Sequence, residues 1–117
     1  MKICFIDYTK FKYSFNDKDN SLLRGAETTL INLSYNLSLL NNEVYIFNNC
    51  SKKLHLKNYY WNDINELNHS KMSFDIAIAN GDINLLNKVN AKKKFAISYS
   101  VQPIEKFIRK NQLFSYL

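Results

Sequence analysis

The chain has 117 residues and a formal charge of +6, and it is 46% hydrophobic, 15% aromatic and 22% charged, with two glycines and one proline. This is the composition of one globular domain. It excludes a disordered chain, which lacks so many apolar and aromatic side chains, and a collagen-like or linker-like chain, which is rich in Gly and Pro. No apolar run approaches the roughly 20 residues that span a bilayer, and the start MKICFIDYTK is too weakly apolar for a signal peptide. We expect a soluble, cytoplasmic protein.

The basic excess lies entirely near the C-terminus. Residues 1–85 carry nine basic and nine acidic side chains, whereas residues 86–117 carry seven basic side chains against one carboxylate. For Lys92, Lys93 and Lys94, directly before a strand-like run, we favour a solvated lysine-rich surface. The alternative for the whole segment is attraction to something anionic, either a phosphate-bearing substrate or an acidic membrane face.

The first half of the chain predicts a strand, a long loop, a helix and a second strand. Residues 2–7, KICFID, hold four consecutive apolar residues, which is typical of a parallel strand buried on both faces. A polar loop follows over 8–24. From Ala26 the apolar residues fall at 26, 30, 33, 37 and 40, which predicts one apolar stripe on a helix that ends at Asn41 and Asn42. Residues 44–47, VYIF, predict the second buried strand.

The second half is less regular at first and then alternates again. Residues 50–69 contain a possible short strand, LHLK at 54–57, and a polar, aromatic stretch with weak helical periodicity in its second half. A strand is predicted over 74–79, FDIAIA. Asp82 can cap a short helix with Ile83, Leu85, Leu86 and Val89 as its apolar residues. A strand over 95–101 and a helix beginning near Pro103 complete the pattern.

Strands that alternate with helices predict an α/β domain with a Rossmann-like parallel sheet and flanking helices. For a strand order of 3-2-1-4-5, ligands bind at the carboxyl ends of the strands, where the order reverses. The loop after Asp7, the turn at Gly25, the Asn80-Gly81-Asp82 turn and residues 98–102 should meet there. This predicts the region of the site, but no mechanism.

Gly25 before the helix is the most suggestive local feature, because a helix start offers unpaired N–H groups to a phosphate and Gly lets a ligand approach. A single glycine is nevertheless more often a permissive turn. The dinucleotide fingerprint G-x-G-x-x-G and the Walker A motif are absent, which disfavours a nicotinamide dehydrogenase or a P-loop NTPase. For Glu27, a structural role at the helix start is the default interpretation.

Other side chains favour structural roles. Cys4 and Cys50 each lie in an apolar run, which favours buried thiols over a disulfide or a metal ligand. His55 and His69 have no partner at metal spacing, so no metal site is expected. The cluster Tyr59-Tyr60-Trp61 could stack a base or a sugar, but such aromatics more often pack at the edge of a core. The basic C-terminal third lacks interleaved aromatics, so no nucleic acid partner is expected.

The segment RGAETTLINLSYNLSLLNNEVYIFN at 24–48 resembles the G-G-A/V-E, L-x-x-x-L, G-H-E-V-x-V-F pattern of the N-terminal domain of GT-B glycosyltransferases of the family 4 type. The strand over 2–7 and the segments FDIAIANG and KFAISYSVQPIEKFIRK fall in the expected places. The resemblance implies a cell-envelope or glycan-assembly transferase that moves a sugar from a nucleotide-sugar, its substrate rather than a cofactor, to a glycan or lipid-linked acceptor bound by this domain. Whether it retains or inverts the anomeric centre stays open.

Three departures from the family pattern bear on activity. Arg24 stands where a first glycine is common, which restricts the turn but could add a phosphate-binding charge. Gln102 stands where family members often carry a histidine, and glutamine only hydrogen-bonds. The second, donor-binding domain with its E-x7-E motif is missing from residues 1–117. We therefore expect a fragment, an incomplete acceptor-side domain that is inactive alone, needs the missing domain or a partner chain, and is prone to self-association.

The resemblance assigns candidate roles by position and leaves the catalytic residue unknown. The donor phosphates are assigned Arg24, Gly25 and Ala26; the acceptor or cleft lining is assigned Asp7, Asn80, Gly81, Asp82, Ser100 and Gln102; and an anionic acceptor or the inner membrane face is assigned Lys106, Arg109 and Lys110. The alternative is a non-catalytic Rossmann-like module that binds a nucleotide or a protein. A salt-dependent nucleic-acid or membrane binder is the third hypothesis.

Overall fold

The computed structural model describes residues 1–69 and 71–99, apart from the side chains of residues 68 and 69. Within these residues it is a mixed α/β protein with a six-stranded, mostly parallel sheet and few helices. The strands are β1 (Lys2–Ile6), β2 (Glu43–Asn48), β3 (Leu54–Leu56), β4 (Tyr59–Asp63), β5 (Ser73–Asn80) and β6 (Asn90–Ile97). One α-helix, α1 (Gly25–Leu39), and three 3₁₀ helices (Phe15–Asp17, Ile64–His69 and Ile83–Lys88) connect them. The helix predicted from Pro103 lies outside the described residues.

The sheet has the strand order β3-β4-β2-β1-β5-β6. β1 pairs in parallel with β2 on one side and with β5 on the other, β2 pairs in parallel with β4, and β5 pairs in parallel with β6. Counted among themselves, the five parallel strands therefore follow the order 3-2-1-4-5, and that prediction is confirmed. The order reverses between β1 and β5, so the crevice where ligands bind in such sheets opens at the carboxyl ends of these two strands.

The region before β5 differs most from the prediction. The 54–57 segment does form a short strand, but β3 runs antiparallel to β4, so the sheet is not purely parallel. The first half of the aromatic stretch, which had no predicted element, is β4, an interior strand between β3 and β2, and its second half, predicted with weak helical periodicity, is the 3₁₀ helix Ile64–His69. Tyr59 and Trp61 are buried on one face, which follows the period of a strand rather than of a helix. The prediction that this aromatic cluster packs with the core is confirmed.

β6 begins five residues earlier than predicted, so the three lysines lie within the strand rather than before it. They fit there because β6 is at the edge of the sheet among the described strands, and lysines on an edge strand discourage pairing with other chains. Lys92 and Lys93 are exposed, as expected for a solvated surface. Lys94 is partly buried and donates a hydrogen bond to the Leu86 carbonyl at 3.0 Å.

Helix α1 begins at Gly25 and ends at Leu39, two residues before the predicted stop at Asn41, and it turns a different face to the sheet. Leu30 of the predicted stripe is fully buried, whereas Leu40 lies just past the helix and is 71% exposed. The buried face also includes Glu27, Ile31, Ser34 and Ser38. The small hydroxyls let the helix approach the sheet closely, and the Ser34 hydroxyl shares a 2.7 Å hydrogen bond with the Tyr59 hydroxyl. Asn41 adopts a φ of 65°, which confirms the left-handed stop predicted for the asparagine pair.

The sheet carries a hydrophobic core on each face. In β1, Ile3 and Phe5 belong to the core beneath α1, while Cys4 and Ile6 belong to the core on the other face, beneath the 3₁₀ helices that follow β4 and β5. This two-sided burial explains the unbroken apolar run of β1. Cys4 and Cys50 are both free and buried, as predicted. No helix in the described part of the chain is long and apolar enough to cross a membrane.

Candidate functional site

A cleft of about 610 Å³ opens where the strand order reverses. Its walls come from the residues just after β1, the first turn of α1, the turn after β5 and the residue that follows β6 by two positions. The lining residues are Asp7, Tyr8, Arg24, Gly25, Ala26, Glu27, Thr29, Asn80, Gly81, Asp82 and Tyr99. Of the predicted cleft residues, the structure brings together Asp7, Arg24, Gly25, Ala26, Asn80, Gly81 and Asp82.

Asp7 is the buried carboxylate at the base of the cleft, with 4% of its surface exposed. Its Oδ2 accepts a hydrogen bond from the fully buried Tyr13 hydroxyl and a longer one, 3.4 Å, from Asn80 Nδ2. Burial raises the pKa of Asp7, and the hydrogen bonds from Tyr13, Asn80 and the Tyr8 N–H oppose this rise. The pKa of Tyr13 is also raised, first by its burial and then by the charge of Asp7, so Tyr13 stays protonated and acts as the donor.

Asn80 forms hydrogen bonds with three other residues that line the cleft. Its amide nitrogen donates to the Ala26 carbonyl in the first turn of α1 at 3.0 Å, as well as to Asp7. Its amide oxygen accepts a 2.7 Å hydrogen bond from the Tyr99 hydroxyl. Because Asn80 lies at the end of β5, between β1 and β6, it fixes α1 and the loop after β6 relative to the sheet.

Glu27 holds Arg24 at the mouth of the cleft. The Glu27 carboxylate is 1% exposed and accepts hydrogen bonds from Arg24 Nε and Nη2, both at 3.0 Å, and from the Arg24 backbone N–H at 3.1 Å. The last bond is the reach-back half of a capping box, so the structural role expected at the helix start is confirmed. The Arg24 side chain is 67% exposed and its guanidinium lies 5.5 Å from the Phe11 ring centroid. Its pKa is raised, mainly by the hydrogen bonds to Glu27.

The two glycines of the cleft serve different purposes. A Cβ on Gly25 would meet no atom within 4 Å, so this position leaves open space in front of the helix start. Gly81 adopts a φ of 89°, a conformation that residues other than glycine rarely adopt. Its N–H donates a hydrogen bond to the Ile97 carbonyl at 3.0 Å. Asp82 caps the following 3₁₀ helix, as predicted, by accepting a 3.0 Å hydrogen bond from the Asn84 N–H.

Comparison with protein-family models, with curated proteins and with solved structures finds no match to this chain. The mouth of the cleft combines a fixed guanidinium with the first N–H groups of a 15-residue helix, both of which favour an anion. The base of the cleft presents carboxylate and amide groups, which favour hydroxyl or N–H donors on a ligand.

Several predicted site residues lie outside the described part of the chain, and some residues of the site were not predicted. The former are Ser100, Gln102, Lys106, Arg109 and Lys110. The latter are Thr29 and, behind Asp7, Tyr13, whereas Tyr8 and Tyr99 lie in the loop after Asp7 and in the 98–102 segment, both predicted to meet at the cleft. Tyr13 could not be assigned to the site from sequence, because its place depends on the tertiary contact with Asp7. Over residues 1–69 and 71–99, no group of three His, Cys, Asp or Glu side chains could hold a metal ion.

Proposed function

We propose that this chain is a Rossmann-like domain that binds a nucleotide-sugar, and that it serves as the N-terminal, acceptor-side domain of a GT-B glycosyltransferase. The observation that carries the proposal is the mouth of the cleft. There Gly25 opens the start of α1 to a ligand while Glu27 holds the Arg24 guanidinium beside it. A diphosphate is the group that matches this pairing.

In this proposal, each of these residues has a separate part in holding phosphate. The N–H groups of the first helical turn point out of the helix, and the helix dipole adds a partial positive charge in the same place. Arg24 keeps one edge of its guanidinium on Glu27, and its side chain stays largely exposed, so its charge faces solvent and ligand. Gly25 lets phosphate oxygens come close to the backbone because no side chain stands in front of it.

In the proposed enzyme, this domain positions an acceptor while a second domain holds most of the nucleotide-sugar. Sugar transfer then takes place between the two, at the carboxyl ends of β1 and β5, in cell-envelope or glycan assembly at the cytoplasmic face of a membrane. The resemblance of residues 24–48 supports this assignment, and the strand order agrees with a Rossmann-like unit. The second candidate, a nucleotide-binding module without catalysis, uses the same cleft.

Titration calorimetry with UDP, GDP, UDP-glucose and GDP-mannose tests the proposal. We expect at least one of the four to bind, with an affinity that falls at least tenfold in both Gly25→Ala and Arg24→Gln. Asn32→Ala, on the exposed side of α1, is the matched control and should bind as the unaltered chain does. Binding of none of the four, or binding unaffected by Gly25→Ala and Arg24→Gln, would refute the assignment of the phosphate site.

A transfer assay separates the two candidates. Radiolabelled nucleotide-sugar is supplied with a membrane extract, first to this chain and then to the longest polypeptide that its coding sequence specifies. Transfer by the longer polypeptide, lost in its Arg24→Gln variant, supports the glycosyltransferase. Binding without transfer in either case supports the non-catalytic module instead.

A further inference from the structure

Two exposed tyrosines line the cleft and have no part in the phosphate site. Tyr8 follows Asp7 and is 58% exposed, and Tyr99 follows β6 and is 50% exposed. Large apolar side chains are normally buried, so two exposed aromatic rings in one cavity mark a surface for a flat, partly apolar ligand. The Tyr99 ring lies against the turn after β5, 3.9 Å from a Cβ placed on Gly81, and its hydroxyl lies 2.7 Å from Asn80 Oδ1.

The polar groups between the two tyrosines mainly accept hydrogen bonds. The Asp7 carboxylate has about four acceptor sites, of which Tyr13, Asn80 and the Tyr8 N–H use three. Both hydrogens of the Asn80 amide are engaged, by Asp7 and by the Ala26 carbonyl. The hydroxyl of Tyr99 donates to Asn80, and its oxygen, which also accepts a hydrogen bond from the Thr29 side chain, retains one acceptor lone pair. A ligand that enters here has to bring donors of its own.

Charge disfavours a phosphate in this inner part of the cleft. Asp7 and Glu27 are both buried carboxylates that line the cavity, and the charge of Glu27 adds a minor part to the rise in the pKa of Asp7, which comes mainly from burial. Arg24, whose guanidinium lies on Glu27, stands at the mouth. The cleft is therefore divided into an outer part that favours an anion and an inner part that favours a neutral ligand rich in hydroxyl groups.

We infer that the inner part binds the ring of a neutral sugar, with its apolar face against Tyr8 and Tyr99 and its hydroxyls donating to Asp7 and to the Tyr99 oxygen. This inference rests on the proposed function and specifies the chemistry of the sugar that the same cleft holds. The sugar can belong to the nucleotide-sugar donor or to the acceptor, since the chemistry of the ring is the same. Tyr8 and Tyr99 then determine specificity for a sugar without touching the phosphates.

Saturation-transfer NMR and titration with methyl glucoside, methyl galactoside, methyl mannoside and N-acetylglucosamine test the inference, with uridine and guanosine as competing rings. We expect at least one sugar to bind with an affinity that falls at least fivefold in Tyr8→Leu, which loses the aromatic face. Tyr8→Phe keeps the ring and should bind within twofold of the unaltered chain. Both variants should melt like the unaltered chain because Tyr8 is mostly exposed.

The results separate this inference from the phosphate site and identify the source of the sugar. Failure of every sugar to bind, equal binding by Tyr8→Leu, or binding of a nucleoside alone overturns the inference, even where UDP or GDP binds and depends on Gly25. Sugar binding that depends on Tyr8 while all nucleotides fail upholds the inner site and refutes only the proposed function. Where both parts bind, a nucleotide-sugar that displaces the free sugar assigns the ring to the donor, and simultaneous binding assigns it to the acceptor.

Discussion

Replacing each of the two glycines with alanine should change stability in opposite directions. At Gly81, a φ of 89° places the new side chain in the left-handed region, which costs about 1–2 kcal/mol, while the added Cβ makes only an ordinary contact, 3.9 Å from Tyr99. At Gly25 the backbone is helical and the Cβ meets nothing within 4 Å. There alanine restricts the unfolded chain and should stabilise by about 0.4–1 kcal/mol. The two variants should therefore differ by about 1.5–3 kcal/mol.

Thermal unfolding followed by circular dichroism measures this difference. At about 4 °C per kcal/mol for a domain of this size, the melting temperatures of Gly25→Ala and Gly81→Ala should differ by about 6–12 °C. Gly81→Asn is the matched control, because asparagine tolerates positive φ better than alanine and should recover part of the loss. Equal melting temperatures for the two alanine variants would show that the turn at Gly81 is not held at positive φ, which would refute the reasoning.

Two further predictions concern buried polar groups. Because burial raises the pKa of Asp7, the stabilisation that comes with its protonation is fully present below the ordinary aspartate pKa and is lost as the pH rises through the raised folded value. The free energy of unfolding of Asp7→Asn, measured with urea, should therefore increase relative to that of the unaltered chain as the pH rises from 3 to 8. A difference between the two free energies that stays constant across that range would contradict this. Ser34→Ala should cost about 1–3 kcal/mol, because it leaves the buried Tyr59 hydroxyl without its 2.7 Å partner, whereas the double variant with Tyr59→Phe should lose less than the two single losses combined. Strict additivity in that double-mutant cycle would show that the two hydroxyls do not interact.

The sequence predicts the parallel part of the fold well because burial on both faces leaves a local pattern. The apolar runs of β1, β2 and β5 need no knowledge of their neighbours, and the helix between β1 and β2 has its own periodicity and stop. β4 is different, because the alternating burial of Tyr59, Tyr60 and Trp61 depends on the neighbouring strands β2 and β3 and cannot be predicted without them. The sequence also could not predict which face of α1 is buried, because the burial of Ser34 depends on its hydrogen-bond partner Tyr59, which is 25 residues away in the chain.

The candidate site is predictable to the extent that it depends on the ends of strands. Asp7 and the Asn80-Gly81-Asp82 turn follow apolar runs directly, so the strand order was enough to bring them together. The ion pair of Glu27 with Arg24 could have been predicted from their spacing of three residues. The burial of the Glu27 carboxylate, which holds Arg24 in place, could not. Tyr99 lies in the 98–102 segment predicted at the cleft, but its hydrogen bond to Asn80 could not be predicted, because β6 ends earlier than its hydrophobic pattern predicts.

The position of Asn80 has a consequence for the order in which this protein acquires its function. Asp7 and Ala26 belong to the first quarter of the chain, and they become joined through Asn80, more than 50 residues later, only when β5 pairs with β1. A nascent chain that has completed α1 and β2 therefore has half of the cleft but lacks the hydrogen bonds that Asn80 makes to Asp7 and Ala26. A ligand that requires both halves stabilises the finished sheet alone and gives no advantage to partly assembled forms. Ligand binding would then report directly on the completion of folding.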